Sequence, residues 1–301
     1  MTKAQLPQAG SNLMLLDLRT ARVQQELDAK PFHEWVLPDG TLWTRFYCSG
    51  KQYLLRFPGL ADFTVSANGT KAAAYPMPGV SRATIEHLYL NQIVPLALSR
   101  QRKLVLHASA VEVRDRAVAF LGVSGRGKST LAASFSISGY RFLTDDGLLT
   151  DKEGDGYIVH PGHPSIRLWE DSREALIPGG TDAASPVDYT SKARLLADDQ
   201  VAFCNAARPL CRVYFLGDGN TGRVEIVPLG GRDAMVELVR HSFLLDVEER
   251  EMLARHFELL SALVEIPMFF RLDYPRSYAV LPDVRDAVIR QVAELESGVC
   301  S

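Results

Sequence analysis

Residues 122–130 read GVSGRGKST and match the spacing G-x-x-x-x-G-K-[ST]. This pattern carries phosphate chemistry. Gly122, Gly125 and Gly127 let successive backbone N–H groups turn toward one anion. Val123, Ser124 and Arg126 complete the loop. Lys128 adds a point charge for the β- and γ-phosphates, and Ser129 a hydroxyl for Mg²⁺. Through Thr130 the chain enters a helix whose positive N-terminal end faces the same anion. All nine residues form the candidate nucleotide-binding set. Alone they fit a switch, a pump or a kinase equally well.

Three further features narrow the chemistry. Asp145 and Asp146 lie 17 and 18 residues beyond Lys128, room for a helix and a return strand. One of two adjacent acids can hold Mg²⁺, directly or through water, while the other takes a proton from an attacking hydroxyl. Their mutual repulsion raises one pKa and favours a base. Arg167 sits between apolar residues in PSIRLW, so its charge needs a partner, and a carboxylate or a phosphate would serve. His107, in LVLHASAV, reads either as a hydrogen-bonded core histidine or as a site residue.

The surrounding pattern predicts the elements that must position these groups. AVAFLG (117–122) is a continuous apolar run, the mark of a strand buried on both faces. A helix is expected over 128–138, with Gly139 as its stop, and a strand over 140–146 that ends in the two acids. Strand, glycine loop, helix and strand form the context in which such a loop binds phosphate. Upstream, KLVLHASAVEV (103–113) reads as one strand. Downstream, 156–172 reads as strands around a Pro/Gly turn and 178–200 as a loop. The segments 211–218 and 222–229 read as a hairpin around Asp218-Gly219-Asn220. Helices are expected over 231–243, 247–265 and 281–295, with a strand at 268–275.

Before residue 100 the pattern changes. Strands are predicted over 41–49, 51–58 and 60–67, separated by Asp-Gly, Ser-Gly and Asn-Gly turns. The two prolines of 72–80 suggest a linker. A helical period over 81–100 should bend or break at Pro95. The expected fold is therefore α/β. A small strand-rich N-terminal domain with a linking helix (1–100) precedes a P-loop-containing nucleotide-binding domain (101–301).

Composition sets outer bounds. The chain has 301 residues, 47% hydrophobic and 23% charged, a globular balance with enough material for a core. A formal net charge of −3 gives no general basic face, so neither nucleic acid nor a membrane surface is an expected partner. The apolar run at Leu13–Leu16 is too short for a signal peptide, and no stretch is long enough to span a bilayer. Cys48, Cys204, Cys211 and Cys300 form no C-x-x-C pair and read as free thiols in a reducing cytoplasm. Oligomeric state is open, a homo-oligomer included.

The stretches LVLHASAV, GVSGRGKST, GYRFLTDDG, HPGHPSIRLW and FRLDYPRSYAVLPDV, in this order, resemble the catalytic domain of the HPr kinase/phosphorylase family. They are most similar to its relatives encoded with peptide-modifying pathways, the lasso-peptide kinases included. The resemblance covers about residues 100–295. It implies a phosphoenolpyruvate-carboxykinase-like fold, ATP and Mg²⁺ as cofactors, and a peptide or protein serine as acceptor, a precursor peptide among the candidates. It further implies Asp145 as general base, Asp146 and Ser129 on the metal side, His107 beside the base and Arg167 as a phosphate or transition-state contact. The family carries a glutamate two residues before that arginine, where this chain has Ser165, so one metal ligand and the phosphorylase activity are not carried over. The expected function is a serine kinase. A small-molecule kinase and a nucleotide-binding regulator without catalysis are the alternatives.

Overall fold

A computed structural model describes residues 14–37, 39–50, 52–177, 187–190, 192–198 and 200–295. The chain is mixed α/β and divides into two compact units. The first comprises the described residues among Met1–Lys103, Pro186–Thr190 and Phe243–Phe257, and the second the remainder. The division is thus not a single cut near residue 100.

In the first unit, six strands form one sheet in the order β1-β6-β5-β4-β3-β2. They are β1 (Leu16–Leu18), β2 (His33–Val36), β3 (Leu42–Ser49), β4 (Gln52–Phe57), β5 (Ala61–Ser66) and β6 (Ala72–Pro76). β1 pairs parallel with β6, and the other pairings are antiparallel. Alternation puts Leu55, Phe57, Phe63 and Val65 inside, fully buried. The linker expected at 72–80 is therefore partly strand. Pro76 stands at the strand's last position, where a missing N–H costs little. The helical stretch is α1 (Arg82–Leu88), a π-helical turn (Tyr89–Ile93) and α2 (Val94–Arg100). The Val94 N–H reaches back five residues to the Tyr89 carbonyl, and Pro95 follows in the first turn of α2. The helix is thus rewound by one residue at the proline instead of ending there.

A buried ion pair links β4 and β5. Arg56 Nε and Nη2 donate to the two oxygens of Asp62, each at 2.8 Å, and Asp62 is 3% exposed. Gln24 Nε2 adds a third donor at 2.9 Å.

In the second unit the central strands are β8 (Ala108–Val113), β9 (Arg116–Leu121), β10 (Arg141–Thr144), β15 (Arg208–Leu216) and β17 (Phe269–Asp273). Completing the sheet are β7 (Leu104–Leu106), β11 (Leu148–Glu153), β12 (Gly156–Val159) and β16 (Glu225–Pro228). A separate two-stranded ribbon joins β13 (Ser165–Leu168) to β14 (Ala193–Leu196). The helices are α3 (Lys128–Ser136), α4 (Glu170–Leu176), α5 (Gly231–Arg240), α7 (Leu281–Glu294) and the end of α6 (Arg250–Val264).

β9 shows why its sequence is apolar from Ala117 onward. Val118 and Phe120 pack on one face with Leu131 and Phe135 of α3 and Val284 and Val288 of α7. Ala117, Ala119 and Leu121 pack on the other with Ala234 of α5 and Leu260 of α6. Helices cover both faces, so no position from Ala117 to Leu121 is free to be polar.

Four expectations change. The strand over 103–113 splits at His107: β7 pairs with β11, β8 pairs with β9, and the His107 N–H donates to the His241 carbonyl at 2.6 Å. β15 and β16 are not a hairpin. β17 lies between them, parallel to β15 and antiparallel to β16, because buried β15 takes a parallel partner on each side. The loop reading of 178–200 falls mostly on residues outside the description, but Ala193–Leu196 is a strand. Likewise, the strand expected through 172 gives way to α4 at Glu170. Cys300 also lies outside the described residues.

Removing one partner of a buried ion pair leaves an uncompensated charge. Asp62→Ala should therefore lower stability by about 3 kcal/mol in urea unfolding, and an Arg56→Met/Asp62→Leu double replacement should recover most of that loss.

Candidate functional site: a glycine loop facing two buried acids

Strand register collects the singled-out residues on one sheet edge. β8 runs antiparallel to β9 with Ala108 opposite Leu121, so His107 falls opposite Gly122. β10 is antiparallel to β8 and so runs in the direction of β9, and its carboxyl end delivers Asp145 and Asp146 to the same edge. β15 and β17 also run with β9 and bring Asp218, Tyr274 and Arg276 to that edge from the opposite side of the glycine loop. Ligands in open α/β sheets collect at such strand ends.

The loop takes the backbone its glycines allow. Gly122 has φ 155° and Gly127 φ 89°, both in the region that L side chains rarely adopt. A Cβ at Gly127 would meet the Tyr274 hydroxyl at 3.3 Å. Gly127 is the N-cap of α3, so the free N–H groups of the first turn face the loop's cavity. That cavity has a volume of about 410 Å³ and is lined by residues 124–130, with His107, Asp146 and Arg167. Gly122 and Val123 stand behind it, and their carbonyls accept from the Lys128 ammonium at 2.8 and 3.5 Å. Burial brings Lys128 down to about 8, against the pull of both aspartates. Arg126 bonds to Asp218 at 2.7 Å and so ties the loop to the end of β15. Thr130 shares a hydrogen bond with Ser172 at 3.2 Å.

The two acids have different surroundings. Asp145 Oδ1 accepts from the Ser109 hydroxyl at 2.6 Å and the Ser129 hydroxyl at 2.8 Å. Its Oδ2 accepts from the Arg167 backbone N–H at 3.0 Å. Burial, then repulsion from Asp146, raises its pKa. Asp146 lines the cavity, whereas Asp145 does not. One Asp146 oxygen takes the Arg167 guanidinium at 2.7 Å from Nε and 2.6 Å from Nη2. Burial opposes ionisation of Asp146, but the nearby cations, Arg167 foremost, outweigh it and lower its pKa. Asp146 has φ 70°, a strained value for a residue with a Cβ, which surrounding contacts must hold.

His107 is half-buried, and desolvation, with repulsion from Lys128, pushes its pKa down to about 3. Ser165 Oγ bonds to His163 Nδ1 at 2.9 Å and does not line the cavity. Among nearby acids, Asp171 does line it, held by the Tyr278 hydroxyl at 2.9 Å.

Sequence reasoning missed several lining residues. Lys192 reaches the cavity from the residue before β14, and its Nζ lies 5.0 Å from the centre of the Trp169 ring. No period marks Lys192 in a stretch read as a loop. Tyr274 and Arg276 follow β17, and the guanidinium stacks 4.4 Å over the Tyr274 ring. Their place just beyond an apolar strand was the available signal. Ser109 sat unremarked inside a strand.

No protein-family model matches the sequence, and no curated protein matches it. Among solved structures, the Hpr(Ser) kinase/phosphatase from Coxiella burnetii is similar over 65% of this chain and 99% of that one, at 10% identity and a TM-score of 0.32. So weak a likeness does not establish shared membership, and the function has to be read from the site itself. No helix among the described residues is long and apolar enough to cross a membrane.

Among the described residues no group of three or more His, Cys, Asp or Glu side chains could hold a metal ion. The Ser129 hydroxyl and the two carboxylates form a hard oxygen set instead. That set suits Mg²⁺, which takes one or two carboxylates and completes its shell with water and phosphate oxygens.

Two half-buried imidazoles give a pH test. His107 and His163 have folded values near 3 and 4, below the unfolded 6.5, because burial disfavours the charged ring. Below about pH 6.5 the unfolded chain binds more protons than the folded one. Their contribution to stability is therefore complete above that pH and should fall away as the pH drops from about 6.5 toward 4. Thermal unfolding between pH 7.5 and 4.5 reads it, and a melting temperature constant across that window would contradict the assignment.

Proposed function

We propose that this protein is an ATP- and Mg²⁺-dependent kinase that transfers the γ-phosphoryl group to a hydroxyl, with a serine of a peptide or protein as acceptor. The observation that carries this reading is the 2.8 Å bond from Ser129 to Asp145, which joins the glycine loop to the paired acids. Lys128, Asp146 and Arg167 line the same cavity. A nucleotide switch needs the loop and one metal-side acid. A second acid at the cavity wall and a guanidinium beside it are what transfer to an acceptor requires.

Residues 124–130 would cradle the phosphates through backbone N–H groups, with the Lys128 ammonium on the β- and γ-phosphates. Ser129 and Asp145 would hold Mg²⁺, which supplies charge neutralisation at the phosphate oxygens. Asp146 would orient the acceptor hydroxyl and take its proton. This reverses the division that the family resemblance implies. Asp145 has both oxygens occupied and lies behind Ser129, whereas Asp146 lines the cavity itself. Asp146 is a weak base while Arg167 pairs with it. A terminal phosphate competes for that guanidinium, and its departure raises the Asp146 pKa. In the transfer, a bond forms from the acceptor oxygen to the γ-phosphorus. The bond from that phosphorus to the bridging oxygen breaks, ADP leaves, and the hydroxyl proton passes to Asp146.

Mass spectrometry of candidate peptides and proteins incubated with Mg·ATP tests the activity, and the expected product carries one added phosphoryl group on serine. ATP binding with no transfer to any acceptor would instead favour a regulator. The roles separate by variant. Asp146→Asn should keep nucleotide affinity and lose about 10²–10⁴ in transfer rate, the usual worth of a positioned acid or base. Asp145→Asn should raise the Mg²⁺ concentration needed for half-maximal rate. Equal Mg²⁺ dependence in the two variants would refute this division.

A further inference from the structure

We propose that Lys192 is a further catalytic residue, a cation that binds the terminal phosphate of the nucleotide. The proposal rests on the reading of the cavity as a Mg·ATP site. Its basis is the β13–β14 ribbon. Arg167 pairs with Arg194 and Leu168 with Ala193, so continuing the register sets Trp169 beside Lys192. Ile166, Leu168 and Leu195 are buried in the core, and alternation turns Arg167 and Trp169 to the opposite face. That face meets the cavity, which Arg167, Trp169 and Lys192 all line.

The sheet edge decides which part of a nucleotide Lys192 meets. Ser129 turns its hydroxyl to Asp145, so the metal and the terminal phosphate belong on the β10 side of the glycine loop. Arg167 is anchored on that side by Asp146 and by its own N–H to Asp145. Lys192 stands next to Ala193, which pairs with Leu168, and it lines the cavity with Arg167 and Asp146, whose charges act on it, so it belongs to the same group. Asp218, Tyr274 and Arg276 flank the other side and are left for the nucleoside end.

Lys128 is bonded to the Gly122 carbonyl and Arg167 to Asp146. Lys192 lies over the Trp169 ring, which is 45% exposed. A phosphate oxygen attracts an ammonium more strongly than an aromatic face does, so a γ-phosphate in this cavity would shift the Lys192 ammonium relative to the Trp169 ring. Trp169 then reports the event, because it is the tryptophan of this cavity.

The test uses the full chain with Trp35 and Trp43 replaced by phenylalanine, so that fluorescence comes from Trp169 alone. ATP and ADP are titrated in Mg²⁺ against this protein and its Lys192→Met and Lys192→Arg variants, with affinities repeated by calorimetry. Lys192→Met should lose about tenfold or more in ATP affinity while ADP affinity stays within about twofold, and Lys192→Arg should restore most of the difference. ATP should change Trp169 emission more than ADP does, and Lys192→Met should remove that excess. Equal losses for ATP and ADP, or none for either, would overturn the role of Lys192 while leaving the nucleotide site intact. Absence of nucleotide binding by the parent protein would overturn the kinase reading, and this assignment with it. If Lys192→Met does not fold, Lys192→Gln with the same ATP-to-ADP comparison decides the question.

Discussion

Two adjacent carboxylates, Asp145 and Asp146, are buried at the end of one short strand. Neither could stay ionised there unaided, since burial penalises each charge and each repels the other. The local structure answers this need. Ser109 comes from β8, Ser129 from the first turn of α3, and the Arg167 N–H and guanidinium from β13. Three elements distant in sequence are fixed by their bonds to one dipeptide. The compensation is unequal, because the Arg167 guanidinium bonds directly to Asp146, whereas Asp145 takes only the backbone N–H of that residue. That inequality separates the two acids chemically.

The sheet makes this arrangement available. Inserting antiparallel β8 between β9 and β10 leaves both strands running in one direction, so the glycine loop and the acids emerge at the same edge. It also brings His107 to that edge, since a strand that ends beside Leu121 begins beside the loop. The cores on the two faces of β9 keep the edge rigid. A site that works by charge placement depends on that rigidity, since misplaced dipoles forfeit electrostatic stabilisation.

Much of this was legible in the sequence because it is local. The loop, the helix after it and the strand ending in two acids follow from residue types over about 25 positions. Pairing across long separations was not legible. β16 reads as the partner of β15 because they are neighbours in sequence, yet parallel β17 fits between them. His107 reads as the middle of a strand, yet the backbone changes partner there. Lys192 has no local signature, and only the register of β14 against β13 places it at the cavity. The two aspartates were recognisable as a pair, but dividing their roles needed Ser109 and Ser129, two hydroxyls that nothing in the sequence links.

A crystal structure of the protein with Mg²⁺ and a non-hydrolysable ATP analogue measures the central claim directly. The analogue's phosphates should lie against residues 124–130, with the metal at Ser129 and Asp145 and the Arg167 guanidinium moved from Asp146 to the terminal phosphate. Phosphates bound elsewhere, or a metal on Asp146 with Arg167 still paired to it, would contradict that claim.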